Sequence, residues 1–339
     1  MKMTDSVPDR TVAMPVETLT LLQSASNTLI ITHHNPDGDA LGSAAGLALT
    51  LLDQGRKADL LLLGAWSNHL TFLLDGLNTR HDLNEPADYD LVILLDCHGF
   101  DRLGPGFEKI AQNLAGRPFL VVDHHPLNQD ESSAPFWLLR PEASSTGELV
   151  WLLVRALGWL PPRNALQALL LAMSSDTGFF TQSNTTADTL RAAADILELG
   201  GDLAEINQRI RQDIPLRRLK LMGRSLESLM LHFQGRLATM IVDPEMLKAT
   251  GALMADTEDF VEFGRSVGQV ELSACIKDQG LGPGSIRVSL RSRDRVDARA
   301  LALAFGGGGH RQAAAYNDAA AANAPAALEN LLAKVESFL

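Results

Sequence analysis

Four short clusters of acidic and imidazole side chains carry the chemistry this chain could perform: His33-His34 with Asp37 and Asp39, then Asp96, then Asp123-His124-His125, then Asp176. Three of them close apolar, β-prone runs, at Thr28 to Thr32, Leu91 to Leu95 and Phe119 to Val122, and Asp176 ends an apolar helical run. Carboxylates mixed with imidazoles, with no cluster of thiolates, are the donor set of a hard or borderline divalent cation such as Mn2+ or Mg2+ rather than of a structural zinc site. Carboxylates brought within a few ångströms of one another raise each other's pKa unless cations neutralise them. The chain offers more donors than one ion needs. Two ions about 3.5–4 Å apart with a shared carboxylate would activate a water and steady the oxygens of an in-line phosphoryl displacement. The reaction class is then hydrolysis of a phosphoester or phosphoanhydride.

Each cluster also has a role without chemistry. Asp37 and Asp39 can be turn and N-cap residues for a helix starting near Ala40, Asp96 can simply end a strand, and Asp176 can cap the turn at Thr177. Two histidines and an aspartate can decorate a strand end. The four Gly residues at 306–309 can be a plain hinge. Taken singly these readings stand, but four coincident ones at the ends of similar elements point to one site.

The positioning elements follow from hydrophobic period. Helical spacing runs from Val16 to Ser26, from about Ala40 to Gln54, around Trp66 to Leu74 and near Phe107 to Leu114. Between these lie the apolar runs Thr28–Thr32, Leu60–Leu63, Leu91–Leu95 and Phe119–Val122. Strands apolar on both faces alternating with helices specify a parallel sheet covered by helices, with ligands collecting beyond the carboxyl ends of the strands. Ser145 and Glu148 fit a capping box for a helix through Leu157, and further helices are expected at Arg163–Met173, Ala187–Leu199 and Leu203–Gln212. Leu216–Leu231 reads as a connector, after which strands return at Leu237–Val242, Gln269–Ile276 and Ser285–Arg291. A flexible glycine loop ending at His310 and a helix near Ala326–Leu339 close the chain. The fold class is α/β: a helix-covered parallel-sheet domain over 1–212, a helical connector over 213–231 and a smaller α/β domain over 232–339.

Composition narrows the function. Lys and Arg number 29 against 41 Asp and Glu, a net charge of −12 that excludes coating of long nucleic acid but not a small anionic ligand held by a few local cations. Two cysteines, Cys97 and Cys275, are too few for a disulfide framework and fit a reducing cytoplasm. Met1 to Pro15 lacks the apolar core of a signal peptide, and no stretch is apolar enough to predict a membrane span. The four tryptophans, Trp66, Trp137, Trp151 and Trp159, lie in apolar runs and read as core.

In order, the segment from His33 through Ser43, Leu95-Asp96, Asp123-His124-His125 and Ser175-Asp176-Thr177-Gly178 resemble the four motifs of the DHH phosphoesterase family. Phe305 through His310, followed by Ala313-Ala314, resembles the substrate loop of the DHH-associated C-terminal domain. Ser144-Ser145-Thr146-Gly147 and Ser289-Leu290-Arg291-Ser292 are most similar to the branch that degrades nanoRNA and dephosphorylates pAp, adenosine 3′,5′-bisphosphate. The resemblance implies one metal on His33, Asp37 and Asp96, and a second on Asp39, Asp96, His124 and Asp176, with Asp96 as bridge and Mn2+ the expected ion. It implies that His125 faces the substrate phosphate, that Asp123 orients a histidine, and that His34 is not a ligand. Arg291, Ser292, Gly307, Gly308, Gly309 and His310 would hold the nucleotide. Ala315 stands where the family has glycine, which puts the local turn in question. The implied activity is Mn2+-dependent hydrolysis of very short oligonucleotides, or of the 3′-phosphate of pAp. Alternatives are a phosphodiesterase of linear or cyclic dinucleotides, an inorganic pyrophosphatase and a non-catalytic nucleotide-binding protein. A homodimer is compatible with all of them.

Overall fold

Aliphatic strands such as Leu91–Leu95 are stable only when both sheet faces are roofed, and the chain supplies a helical layer on one face and a helix with packed loops on the other. The computed structural model describes residues 14–84, 88–126, 136–212, 214–282, 284–293, 295–309 and 311–339. Two units form, Met1–Gln212 and Asp213–Leu339.

The first unit contains, in chain order, α1 (Val16–Ser24), β1 (Asn27–Ile31), α2 (Gly38–Asp53), β2 (Lys57–Leu61), β3 (Asn78–Arg80), β4 (Leu91–Leu95), α3 (Phe107–Asn113), β5 (Phe119–Asp123), β6 (Phe136–Leu139), α4 (Thr146–Ala156), α5 (Arg163–Asp176), α6 (Ala187–Glu198) and α7 (Leu203–Asn207). Its six strands are all parallel, in the order β3-β2-β1-β4-β5-β6. Ile30, Ile93, Leu95, Leu120 and Val122 pack with α2, α4 and α5 on one face. Leu29, Ile31, Val92, Leu94 and Val121 pack with Ile110 and Leu114 on the other. The chain winds outward from β1 to β3, returns to β4 and continues to β6. Winding therefore reverses between β1 and β4, which opens a crevice beyond their carboxyl ends.

Helices α2 and α5 meet backbone to backbone. A Cβ on Gly42 would lie 2.6 Å from the Ala168 carbonyl oxygen and 2.9 Å from the Ala172 Cβ. One turn either way, Cβ atoms on Gly38 and Gly46 would lie 2.3 Å from Ser175 Oγ and 2.5 Å from Leu169 Cδ2. Only glycine fits this seam. Because α2 begins at the Asp37–Asp39 turn and α5 ends at Asp176, the seam sets how far apart those carboxylates stand.

The second unit contains α8 (Leu216–Glu227), β7 (Met230–His232), β8 (Leu237–Val242), α9 (Pro244–Thr250), α10 (Phe260–Arg265), β9 (Leu272–Asp278), β10 (Ile286–Ser292), α11 (Ala298–Leu303), β11 (Gly308–Gly309), β12 (Ala313–Asp318) and α12 (Ala324–Val335). Its sheet runs β11-β12-β10-β9-β8-β7, with β8 and β9 parallel and the other pairs antiparallel. Leu272, Ile276, Val288 and Leu290 face a core with Leu331, and Leu221 of α8 packs on the opposite face with Val242, Phe260 and Cys275. Both cysteines are buried and unpaired.

Several expectations change. β2 begins at Lys57, ahead of its apolar run, because it pairs along the whole of β1. The helix expected over Leu203–Gln212 is α7 followed by a π-helical turn, Gln208–Gln212. The capping box at α4 is half formed: Ser145 Oγ accepts from the Glu148 N–H, but the Glu148 carboxylate turns to Ser144 and Thr189. The glycine segment is no free loop, since Gly308 and Gly309 pair with Ala315 and Ala314 as an edge strand. Gly307 is required there by approach, as its Cβ would lie 2.3 Å from the Ala315 carbonyl oxygen. Ala315 itself is extended strand, so the turn questioned from the sequence does not occur at that residue. Among the described residues no helix is long and apolar enough to cross a membrane.

Overpacking a tight seam costs about 1–3 kcal/mol, so Gly42→Val should lower the free energy of unfolding toward the upper end of that range. Gly223→Ala, on α8 where a Cβ meets nothing within 4 Å, should leave stability unchanged or raise it by up to about 1 kcal/mol. Equal denaturation midpoints for the two variants would contradict the seam.

Candidate metal centre

The crevice collects the acids and imidazoles singled out in the first unit except His34, which lies apart, and Asp123, which is buried behind His125. The turn after β1 brings His33, β4 is followed by Asp96, and β5 ends in Asp123 with His124 and His125 behind it. α2 contributes Asp37 and Asp39 from its first turn, and α5 its last residue, Asp176. Three donor groups form among the described residues: His33, Asp37 and Asp96; Asp39, His124 and Asp176; and Asp96, His124 and His125. Within each, the donor atoms all lie within 4.8 Å of one another.

Backbone carbonyls aim the imidazoles. His33 Nδ1 donates to the His34 carbonyl at 3.0 Å, leaving Nε2 3.6 Å from Asp96 Oδ2 and 4.0 Å from Asp37 Oδ1. His124 Nδ1 donates to the Ala143 carbonyl at 3.3 Å, and its Nε2 stands 3.2 Å from Asp176 Oδ2 and 3.7 Å from both Asp39 Oδ2 and Asp96 Oδ1. Asp96 thus turns one oxygen to each histidine. It does so from a left-handed backbone at φ 60°, a strained conformation that Asp and Asn tolerate better than most residues. Thr146 Oγ1 fixes the shared carboxylate by donating to Oδ1 at 2.9 Å.

Asp39 is fully buried. It accepts from Ser43 Oγ at 3.0 Å, from the Gly147 N–H at 2.9 Å and from the Thr146 N–H at 2.7 Å. It therefore holds the positive end of α4 from a neighbouring helix. Asp37 is the N-cap of α2, accepting from the Asp39 and Ala40 N–H groups at 3.1 Å. The capping role and the donor role fall on the same residue.

Protons stand in for cations at such a site. Burial and the charges of Asp96 and Asp176 push the Asp39 carboxyl well above its usual range. Burial alone would lower both imidazoles, yet the carboxylates around them push His33 up to about 9 and His124 up to about 10. Asp96, which burial would raise, is held low by His33, His125 and His124. His124 Nε2 is buried and makes no hydrogen bond despite its three carboxylate neighbours. An orphaned nitrogen surrounded by carboxylates fits a divalent cation, which would replace the protons.

Asp123 has a different part. Completely buried, it accepts through Oδ1 from the His125 N–H at 3.0 Å and from His125 Nδ1 at 2.7 Å. Its Oδ2 accepts from His98 Nδ1 at 2.9 Å. Burial opposes ionisation, but the two histidines hold its pKa below the ordinary value. His98 was not foreseen, and neither were Thr146, Gly147 and Ser43. Two of those three contacts on Asp39 use backbone N–H groups, which leave no mark on residue type; the sequence signal available was the Ser-Ser-Thr-Gly string itself.

His34 lies apart from the donor groups, its ring against Gly64 and Gly104. In the second unit, Arg291 Nε pairs with Glu262 Oε1 at 2.9 Å and its Nη1 donates to the Leu290 carbonyl at 3.1 Å. Ser292, expected to touch the nucleotide, is fully buried with Oγ donating to the Arg311 carbonyl at 3.2 Å, because it ends β10 opposite Leu272. Gly307 is half-buried and Gly308 and Gly309 form β11. His310 lies outside the described residues.

Since His33 and His124 carry protons up to about pH 9 and 10 without metal, cation binding must release them. The apparent affinity for Mn2+ should rise steadily between pH 6.5 and 9, with proton release visible as a buffer-dependent calorimetric enthalpy. The sign for the metal-free fold is opposite: raised imidazole pKa values stabilise it fully below about pH 6.5, and this contribution is lost as pH climbs through 9 to 10. An affinity independent of pH would contradict the donor assignment.

Sequence comparison bears on the same residues. A model of the DHH family N-terminal domain matches residues 27–173. A Thermus thermophilus protein named bifunctional oligoribonuclease and PAP phosphatase NrnA is 32% identical over 295 residues, covering 84% of this chain and 82% of that protein. A Bacillus subtilis protein of the same name is 26% identical, covering 85% and 88%. A solved structure, an exopolyphosphatase-related protein from Bacteroides fragilis, superposes with a TM-score of 0.86 at 23% identity over 95% of this chain and 96% of that one, so the fold is shared throughout. With its four acid and histidine clusters gathered on one sheet edge and this similarity extending over most of its length, the chain belongs to the DHH family of phosphoesterases.

Proposed function

We propose that the chain is a Mn2+-dependent phosphoesterase that hydrolyses very short oligonucleotides and removes the 3′-phosphate of pAp. The observation that carries the reading is Asp96, whose two carboxylate oxygens face separate donor groups. The names of the relatives in Thermus thermophilus and Bacillus subtilis support the substrate class. In this reading the first unit is catalytic and the second binds substrate. His33, Asp37 and Asp96 hold one ion, while Asp39, Asp96, His124 and Asp176 hold the other. The bound pair would supply a nucleophilic water and charge neutralisation at the phosphoryl oxygens.

The protein's own groups do the rest. Asp123 holds His125 by ring and backbone together, and in this reading the imidazole so oriented donates a hydrogen bond to the substrate phosphate or a proton to the departing oxygen. Thr146 and Ser43 keep Asp96 and Asp39 from rotating away from the crevice. Little of this needs a long ligand. A net charge of −12 disfavours tracking along extended strands.

Asp96→Asn, which keeps a residue tolerant of left-handed backbone, should lower Mn2+-dependent turnover by about 10³-fold or more, because the carboxylate shared by both ions is lost. The circular dichroism spectrum should stay that of the parent, with Asp96→Ala as a second variant. The panel to assay is pAp, oligomers of two to several nucleotides in RNA and DNA form, a cyclic dinucleotide and pyrophosphate. Near-parental turnover in both variants, or hydrolysis of pyrophosphate alone, would overturn the reading.

A further inference from the structure

Three cations share one face of the second sheet in a chain that is otherwise acidic. β9 and β10 are antiparallel with Lys277 directly opposite Arg287, and Arg287 is directly opposite Asn317 on β12. Strand alternation puts these residues on the same face as Ser289, Arg291, Ala313 and Ala315, because Ile276, Val288, Leu290 and Ala314 fill the core behind. α10 covers one end of this face: Ser273 Oγ donates to the Val261 carbonyl at 2.7 Å, and Glu262 pairs with Arg291.

Beyond α10, Lys277 and Arg287 make no hydrogen bond or ion pair with any described residue. Burial holds the half-buried Lys277 ammonium below its usual pKa, with Arg287 and Arg291 adding to the shift and Cys275 and Asp259 opposing it. Like charges directly opposite on neighbouring strands are destabilising, and burial adds to the cost. No described acid lies within ion-pair distance of either side chain, and an anion bound beside them would relieve their repulsion. The surface beside them is low, with Ala313 and Ala315 on β12 and Gly308 of β11 opposite Ala315, so a phosphate can come close to the strands.

We propose that Lys277 and Arg287, with Arg291 beside them, form an anion-binding shelf that takes a phosphate group of the nucleotide substrate. The phosphate's being part of a short oligonucleotide rests on the function proposed above; the shelf's preference for an anion does not.

The test uses the full chain in EDTA, so that binding is read without turnover. The probe is a fluorescently labelled 5′-phosphorylated diribonucleotide, followed by anisotropy over a range of salt concentrations. Lys277→Met keeps the buried stem, and Arg287→Thr suits an exposed strand. The double variant should bind about 10-fold more weakly or worse, and its log–log salt dependence should be shallower by roughly 0.7, the change for one phosphate contact removed from a single strand. Its thermal midpoint should equal or exceed the parent's, because relieving the cationic pair cannot weaken the sheet electrostatically. Lys277→Arg with Arg287→Lys should bind like the parent. Parental affinity and salt slope in the double variant, a fall in thermal midpoint without loss of affinity, or no binding by the parent in EDTA would each overturn the shelf. Turnover of the same unlabelled dinucleotide by the parent with Mn2+ separates the two claims. Absent turnover with charge-dependent binding sinks the substrate reading alone; turnover with unaltered binding in the double variant sinks the shelf alone.

Discussion

Crowding of negative charge is the constraint on which the first unit depends. Asp37, Asp39, Asp96 and Asp176 converge on one crevice, and no fold holds four carboxylates together without compensation. The polypeptide compensates with histidines aimed by carbonyls, with the positive end of α4 delivered onto Asp39, and with room for cations at the orphaned nitrogen of His124. Each device also fixes position. The arrangement that prevents repulsion is the arrangement that would hold a divalent cation.

The same economy extends outward from the crevice. Asp123 serves two histidines, one per carboxylate oxygen. Glu148 turns its carboxylate to Ser144 and Thr189, tying the start of α4 to the start of α6. The helix that stabilises Asp39 is thus itself held at its first turn. Geometry at the reacting edge depends on caps and buried hydrogen bonds several residues away.

Much of this could be read from residue order. Apolar runs ending in acids or histidines predict strands with those residues at their carboxyl ends, and β1, β4 and β5 place His33, Asp96 and Asp123 there. Short edge elements could not be read. β3 and β6 have three and four residues, too few for a period to show, and Gly308–Gly309 resembles a hinge until its partner strand is known. Contacts made by backbone groups, such as those of Thr146 and Gly147 with Asp39, are invisible in composition. The burial of Ser292, which the family resemblance placed at the nucleotide, follows from its register and could not be read from the motif, and the opposed cations Lys277 and Arg287 become meaningful only once the strands are aligned.

The glycine seam between α2 and α5 has a consequence for elasticity. A helix pair separated by side chains can yield, since rotamers adjust, but one packed at backbone distance is stiff against compression. Asp39 and Asp176 stand at the ends of that pair, so the gap between them behaves as a gauge. Ca2+ prefers oxygen ligands at about 2.3–2.6 Å in a loose shell of six to eight, and a smaller ion such as Mg2+ sits at about 2.0–2.1 Å. A frame that cannot breathe would discriminate between such ions by their radii, so in the proposed centre ion choice would depend on the helix contact as well as on the ligands.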